Sequence, residues 1–209
     1  MDSASINGLE NLSLGQLATD IGMSKSGIFA LFGSKEVLQL ATIRSARRIY
    51  FDQIIIPSQA FPPGIGKTLN LCENWLAYSR NRVFPGGCFF YGVAAEFDAR
   101  PGAVRDLIVE ANTFWSGHVA QTLAEARAVG DLLPDTDVEQ LAFELIGLLE
   151  TANSLSLLHD DNTPYRRAGQ AILNRLRSVS TDPGTLPAEP GPSAFALVDV
   201  PPTGPRSQP

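Results

Sequence analysis

Residues 13–36, SLGQLATDIGMSKSGIFALFGSKE, restrict this chain more than any other stretch. Leu14, Leu17, Ala18 and Ile21 recur at i, i+3, i+4 and i+7, which places them on one face of a helix. Ser13 stands just ahead of that face, where a hydroxyl can accept from the free amides of the first turn. Gly22 follows the last apolar residue, where a positive φ lets the chain turn sharply. Ser24 is placed to cap a second helix, whose Ile28 and Phe32 pair at i, i+4 and face back onto the first. Ser34 then precedes a third helix. Two short helices joined by a tight turn make a helix-turn-helix, whose second helix enters the major groove of DNA.

At Gly22-Met23-Ser24-Lys25-Ser26-Gly27-Ile28-Phe29-Ala30-Leu31-Phe32-Gly33-Ser34-Lys35-Glu36 the chain resembles the TetR family of bacterial transcription regulators. The likeness of motif spans roughly residues 9–45. It implies an all-α protein: a helix-turn-helix reading head followed by a helical bundle that binds ligand and dimerises. It also implies that Ser13, Lys25, Ser26, Gly27, Phe29 and Lys35 face DNA. Elementary chemistry agrees, since helix N-termini offer amides to phosphate and lysines add charge. Lys25 and Ser26 open the recognition helix, the end that reads base edges. Two departures matter. Phe29 stands where the family usually has Tyr, so a phosphate hydrogen bond worth about 1 kcal/mol is forfeited. The family also carries a full helix ahead of the motif, which MDSASINGLENL is expected not to supply. The apolar face of Leu17, Ile21, Ile28 and Phe32 would then lack a partner, through an upstream start or a natural truncation.

The charge balance bears on DNA binding. The net charge is −6, yet in residues 1–56 Lys25, Lys35, Arg44, Arg47 and Arg48 offset Asp2, Glu10, Asp20, Glu36 and Asp52. The reading head is neutral and the rest acidic, so the electrostatic share of DNA affinity is modest. Cys72 and Cys88 give no disulfide framework and no zinc spacing, which suits a reducing cytoplasm. No apolar run approaches the roughly 20 residues of a membrane span, and no secretion signal opens the chain.

Beyond the motif, a helix is expected from Lys35 to about Ile54, then a Pro- and Gly-rich linker at 57–66 and a helix over Lys67–Val83. FPGGC at 84–88 reads as a turn and Gly92–Phe97 as a short helix. An apolar stripe from Val104 through Trp115 to Ala126 marks the next helix. Another runs through Val138, Leu141, Ala142, Leu145, Leu148, Leu149, Ala152 and Leu155, opened by Asp135 or Asp137. A last helix covers 164–178. The division expected is a reading head at 1–54, a regulatory and dimerisation domain at 55–180, and a disordered tail at 181–209.

Phe84, Cys88, Phe90, Tyr91, Phe114, Trp115 and His118 form a second constellation. Aromatic walls with a few polar groups suit a small-molecule pocket, and the resemblance implies one among the middle helices, for an apolar or aromatic effector. Glu96 either orients a ligand or caps a neighbouring turn. Cys88 has no cation beside it in sequence, which argues against a redox sensor. Gly66-Lys67-Thr68 imitates a phosphate-binding loop but lacks its first glycine, Phe61 standing there. Nothing points to catalysis, a metal or a cofactor. The leading reading is a ligand-responsive regulator, a repressor, acting as a homodimer through about 135–178 on a near-palindromic operator. The alternative is a truncated ligand-binding dimer with little DNA affinity.

Overall fold

The computed structural model of the chain describes residues 1–191. The elements in order are α1 (Asp2–Asn7), α2 (Leu14–Asp20), α3 (Lys25–Phe32), α4 (Lys35–Tyr50), a π-helical turn (Phe51–Ile55), α5 (Ile56–Ser58), α6 (Ile65–Arg80), α7 (Phe89–Phe97), α8 (Ala103–Ala128), α9 (Val138–His159) and α10 (Thr163–Val179). The architecture is all-α, with a single isolated β-bridge between Leu132 and Ser180 among the described residues.

Capping residues set the helix starts. Ser13 Oγ accepts from Gln16 N at 3.0 Å, Ser24 Oγ from Gly27 N at 3.1 Å, and Ser34 Oγ from Val37 N at 3.2 Å. Asp137 caps α9 through the amides of Glu139 and Gln140. Gly22 has φ +68°, and Met23 N closes the end of α2 onto Ala18 O at 2.9 Å. The linker starts later than 57. Helix continues through the π turn to Ser58, with Pro57 in the first turn of α5, where its missing amide costs least.

The core lies among α6, α8, α9 and α10. Trp75, Leu76, Leu123, Leu145, Leu149, Tyr165, Leu173 and Leu176 are all buried, and α9 packs on α10, α8 and α6. Each such side chain contributes about 1.5–3 kcal/mol of burial before entropy is subtracted. α9 is long and apolar enough by composition to cross a membrane, yet Leu141, Ala142, Leu145, Leu149 and Ala152 are buried inside the chain. The centre of the stripe is internal core, and a different face of α9, with Phe143 and Leu158 each 74% exposed, is left open.

The segment ahead of the motif is short, as expected: Asp2–Asn7 form a helix of only six residues, with Ala4 and Leu9 buried. Ile28 is fully covered and Leu17 and Phe32 are half-buried, while Ile21 is 54% exposed. The tail is also placed as far as Gly191. Thr181 N bonds Asp131 O at 3.0 Å, Leu186 is buried, and Gly191 N bonds Glu73 Oε1 at 2.7 Å. A lone leucine in a Pro- and Gly-rich segment still finds the core. The remainder of the expected tail, 192–209, lies outside the described residues.

Candidate functional site

Two sites emerge. The first is the exposed surface of α3. Lys25, Ser26 and Phe29 are exposed there, and Gly27 is half-buried. A β-carbon at Gly27 would meet Ser24 Oγ at 3.2 Å, so the glycine makes room for the hydroxyl that caps the recognition helix. Lys25 lies close to Gly15 of α2, and Ser26 Oγ meets Ser24 Oγ at 3.2 Å. Ser13 remains exposed while capping α2. Lys35, at the start of α4, is held by Glu10 at 2.7 Å. That ion pair pulls the Glu10 carboxyl below its usual range. One cation of the reading head is therefore already partnered, by a residue of the segment that precedes the motif.

The second site is a partly enclosed cavity. The centre of a water-sized sphere can sweep about 40 Å3 of it, several times what one water needs. The α4 end supplies Arg47, Tyr50 and Phe51, and α6 supplies Trp75. Cys88, Phe90 and Tyr91 enter from the start of α7, and Ala111, Asn112, Phe114 and Trp115 from α8. Glu150 of α9 completes the wall. Tyr50 sits at the centre of an aromatic cluster, edge-on to Phe90 at 5.5 Å and Trp115 at 5.4 Å. Phe51 lies 5.0 Å from Phe114 between ring centroids. Arg47 rides over Phe114 and pairs with Glu110 at 2.7 Å. Burial pushes the Glu150 carboxyl above its usual range. It pushes the Cys88 thiol up to about 12, which keeps that sulfur protonated and unreactive.

A polar network behind the cavity anchors Cys88 of its lining. Asn153 Oδ1 accepts from Ser79 Oγ and from Cys88 N, each at 2.8 Å, so α9 caps the start of α7. Ser79 Oγ also meets Tyr165 OH at 2.8 Å, and Arg82 donates to Tyr165 OH and Ser156 Oγ at 3.0 Å each. At its other end, α7 holds the N-terminal segment. The Glu96 carboxylate accepts from Leu9 N and from Glu10 N, each at 2.7 Å. Gln39 of α4 donates to Leu9 O at 3.1 Å, closing the loop back to the reading head. Ser5 Oγ accepts from Gly86 N at 3.1 Å, and a β-carbon at Gly86 would run into the Ser5 carbonyl. Only glycine permits that approach of two backbones.

The sequence model described as Tetracyclin repressor-like, C-terminal domain matches residues 64–172, just over half of the chain. The chain belongs to the TetR family of transcription regulators. Solved structures agree in fold. A TetR transcriptional regulator from Chloroflexus aurantiacus J-10-FL superposes with a TM-score of 0.79 at 20% identity, covering 85% of this chain and 89% of that one. A TetR-family regulator from Cytophaga hutchinsonii gives 0.76 at 18% identity, over 87% and 90%. A protein from Saccharomonospora viridis, described as a transcriptional regulator in complex with choline, gives 0.72 at 19% identity, over 87% and 93%. No curated protein sequence matches the chain significantly.

The TetR-family cavity gathers five of the seven residues expected there: Cys88, Phe90, Tyr91, Phe114 and Trp115. Phe84 and His118 do not line it. Phe84 is fully buried against Tyr78 and Phe89, where nearness in sequence to the turn had suggested nearness to a ligand. His118 stacks on Phe114 with ring centroids 5.8 Å apart, and burial, with Lys67 nearby, lowers its proton affinity. Glu96 caps the N-terminal turn rather than facing the cavity. Sequence reading missed Arg47, Tyr50, Phe51, Trp75, Ala111, Asn112 and Glu150. Only Glu150 carried a signal, an acid directly after Leu148-Leu149 on an apolar helix.

Proposed function

We propose that this TetR-family protein is a ligand-responsive repressor that binds a near-palindromic operator as a homodimer. Residues 1–54 read DNA, and residues 55–180 dimerise and, together with Arg47, Tyr50 and Phe51 from the end of α4, take the ligand. Lys25, Ser26 and the exposed ring of Phe29 meet the major groove, the ring suiting a thymine methyl. Ser13 and Lys35 meet phosphates. The dimer forms on the open face of α9, where Phe143, Leu155 and Leu158 stand exposed. Apolar residues grouped on one face of a long helix are what a symmetric helical interface needs.

One observation carries the ligand-responsive part. A single nine-residue helix, α7, lines the cavity with its first turn and holds Leu9 and Glu10 with its last. A ligand that displaces Phe90 or Tyr91 therefore moves the support of the segment that contacts Lys35 and Gln39. A bound small molecule then biases how the reading heads sit, which is a two-state coupling between separate sites. The structure of the Saccharomonospora viridis protein with choline is an example of this fold carrying a small molecule.

The experiment is a fluorescence-anisotropy titration of a labelled random-sequence duplex at several salt concentrations. Affinity should fall linearly with the logarithm of salt, and Lys25→Ala should flatten the slope by about one unit. No salt-dependent binding by the full chain would favour the alternative, a ligand-binding dimer without DNA affinity.

A further inference from the structure

We infer that the cavity recognises a small organic cation, with the Glu150 carboxylate as its counter-ion and the rings of Tyr50, Trp75 and Trp115 as its walls. This rests on the reading of the cavity as a ligand site and adds the chemical class of the ligand.

Of the residues lining the cavity, Arg47 and Glu150 alone carry formal charges. Arg47 is committed, since its guanidinium pairs with Glu110 at 2.7 Å and lies over the Phe51 and Phe114 rings at 5.8 and 5.5 Å. Glu150 has no hydrogen bond or ion pair to any side chain among the described residues, although it is only partly exposed. A carboxylate withdrawn from water without a partner is costly, and its proton affinity rises in response. A cation in the cavity would supply the missing partner. An anion would meet Glu150 as a like charge, with no free positive group to offset it.

The walls point the same way. Aromatic faces attract cations through their quadrupoles, and several rings around one volume are how quaternary ammonium groups are held. Tyr50 is surrounded edge-on by Tyr78, Phe90 and Trp115, a packing that leaves little play in the cage. Size also constrains the ligand. A compact void with the open volume given above is a sphere of about 3.5 Å radius once the roughly 1.4 Å radius of a water molecule is added. That suits a methylated ammonium head group and excludes a fused polycyclic ligand without rearrangement.

The test uses three probes of closely similar shape: tetramethylammonium chloride, neutral tert-butanol and the anion pivalate. Trp75 and Trp115 are the only tryptophans of the chain and both line the cavity, so their fluorescence reports occupancy. At constant ionic strength, tetramethylammonium should bind the full chain at least about tenfold more tightly than either of the others, a tenfold ratio being about 1.4 kcal/mol. Glu150→Gln, which keeps shape and removes charge, should erase that preference while tert-butanol binding and thermal unfolding stay cooperative. Equal or tighter binding of tert-butanol or pivalate would overturn the cation assignment yet leave a ligand cavity in place. A cation preference that Glu150→Gln does not change would overturn the role of Glu150. Failure of all three probes would overturn the inference as well, whereas DNA binding is judged separately by the salt titration.

Discussion

Replacing Glu96 tests whether the N-terminal segment is held by the regulatory half of the chain. The carboxylate accepts two backbone amides at 2.7 Å each. Hydrogen bonds to a charged acceptor contribute about 1.5–3 kcal/mol apiece, and solvent screening at the partly exposed Glu96 discounts each to about 1–1.5 kcal/mol, so the pair is worth about 2–3 kcal/mol. In Glu96→Ala both amides must find water. In Glu96→Gln one amide keeps an oxygen and the other meets an NH2 group, so that variant should fall between alanine and the parent. The loss is local, because α1 touches the rest of the chain mainly through α7 and the 84–88 turn. Native-state hydrogen exchange is therefore the right assay. At about 1.4 kcal/mol per tenfold, the amides of Leu9 and Glu10 should exchange about 30- to 150-fold faster in Glu96→Ala, while the core of α9 keeps its protection. Unchanged exchange at both amides would show that the contact does not hold the segment, and the proposed route from cavity to reading head would lose its first link.

Three more outcomes follow from the geometry. Glu10→Gln releases Lys35, and random-duplex affinity should rise severalfold at low salt with a steeper salt slope; unaltered affinity would remove Lys35 from the phosphate contacts. Phe143→Glu with Leu158→Glu should give a folded monomer by light scattering, since both side chains are open on α9; an unchanged mass would place the dimer elsewhere. Burial raises the proton affinity of Glu150 in the folded state, so its contribution favours folding at acid pH and is lost as pH rises through the raised value. Glu150→Gln should therefore unfold at higher temperature than the parent at about pH 7, with the gain shrinking toward about pH 4; the same gain at both pH values would refute the assignment.

What was readable in the sequence is local. Ser13, Ser24, Ser34 and Asp137 act on amides two or three residues away, so spacing alone locates them. Gly22 needs only its own φ. The aromatic group at 88–91 and 114–115 was visible because it is dense. Tyr50, Trp75 and Glu150 join it from three other helices, and nothing in their neighbourhoods shows that these helices converge. The stripe on α9 illustrates a related limit. Periodicity says that Leu145 and Leu149 share a face but not whether that face meets its own chain or a second copy, and here α8 and α10 of the same chain cover it. α1 was missed because its polar sequence has no periodic face. It is held by the Ser5 hydroxyl, which accepts from Gly86 N, and by the Leu9 and Glu10 amides just after it, which donate to Glu96; side-chain periodicity reports neither.

The central claim is that two copies of this chain read DNA together, and selection from a random duplex pool tests it most directly. The full chain should enrich sites in which two copies of one short half-site are related by a two-fold axis, at a fixed spacing set by the dimer. Lys25→Ala should reduce recovery of every selected site. Enrichment of a single unpaired half-site, or of no sequence at all, would contradict the account.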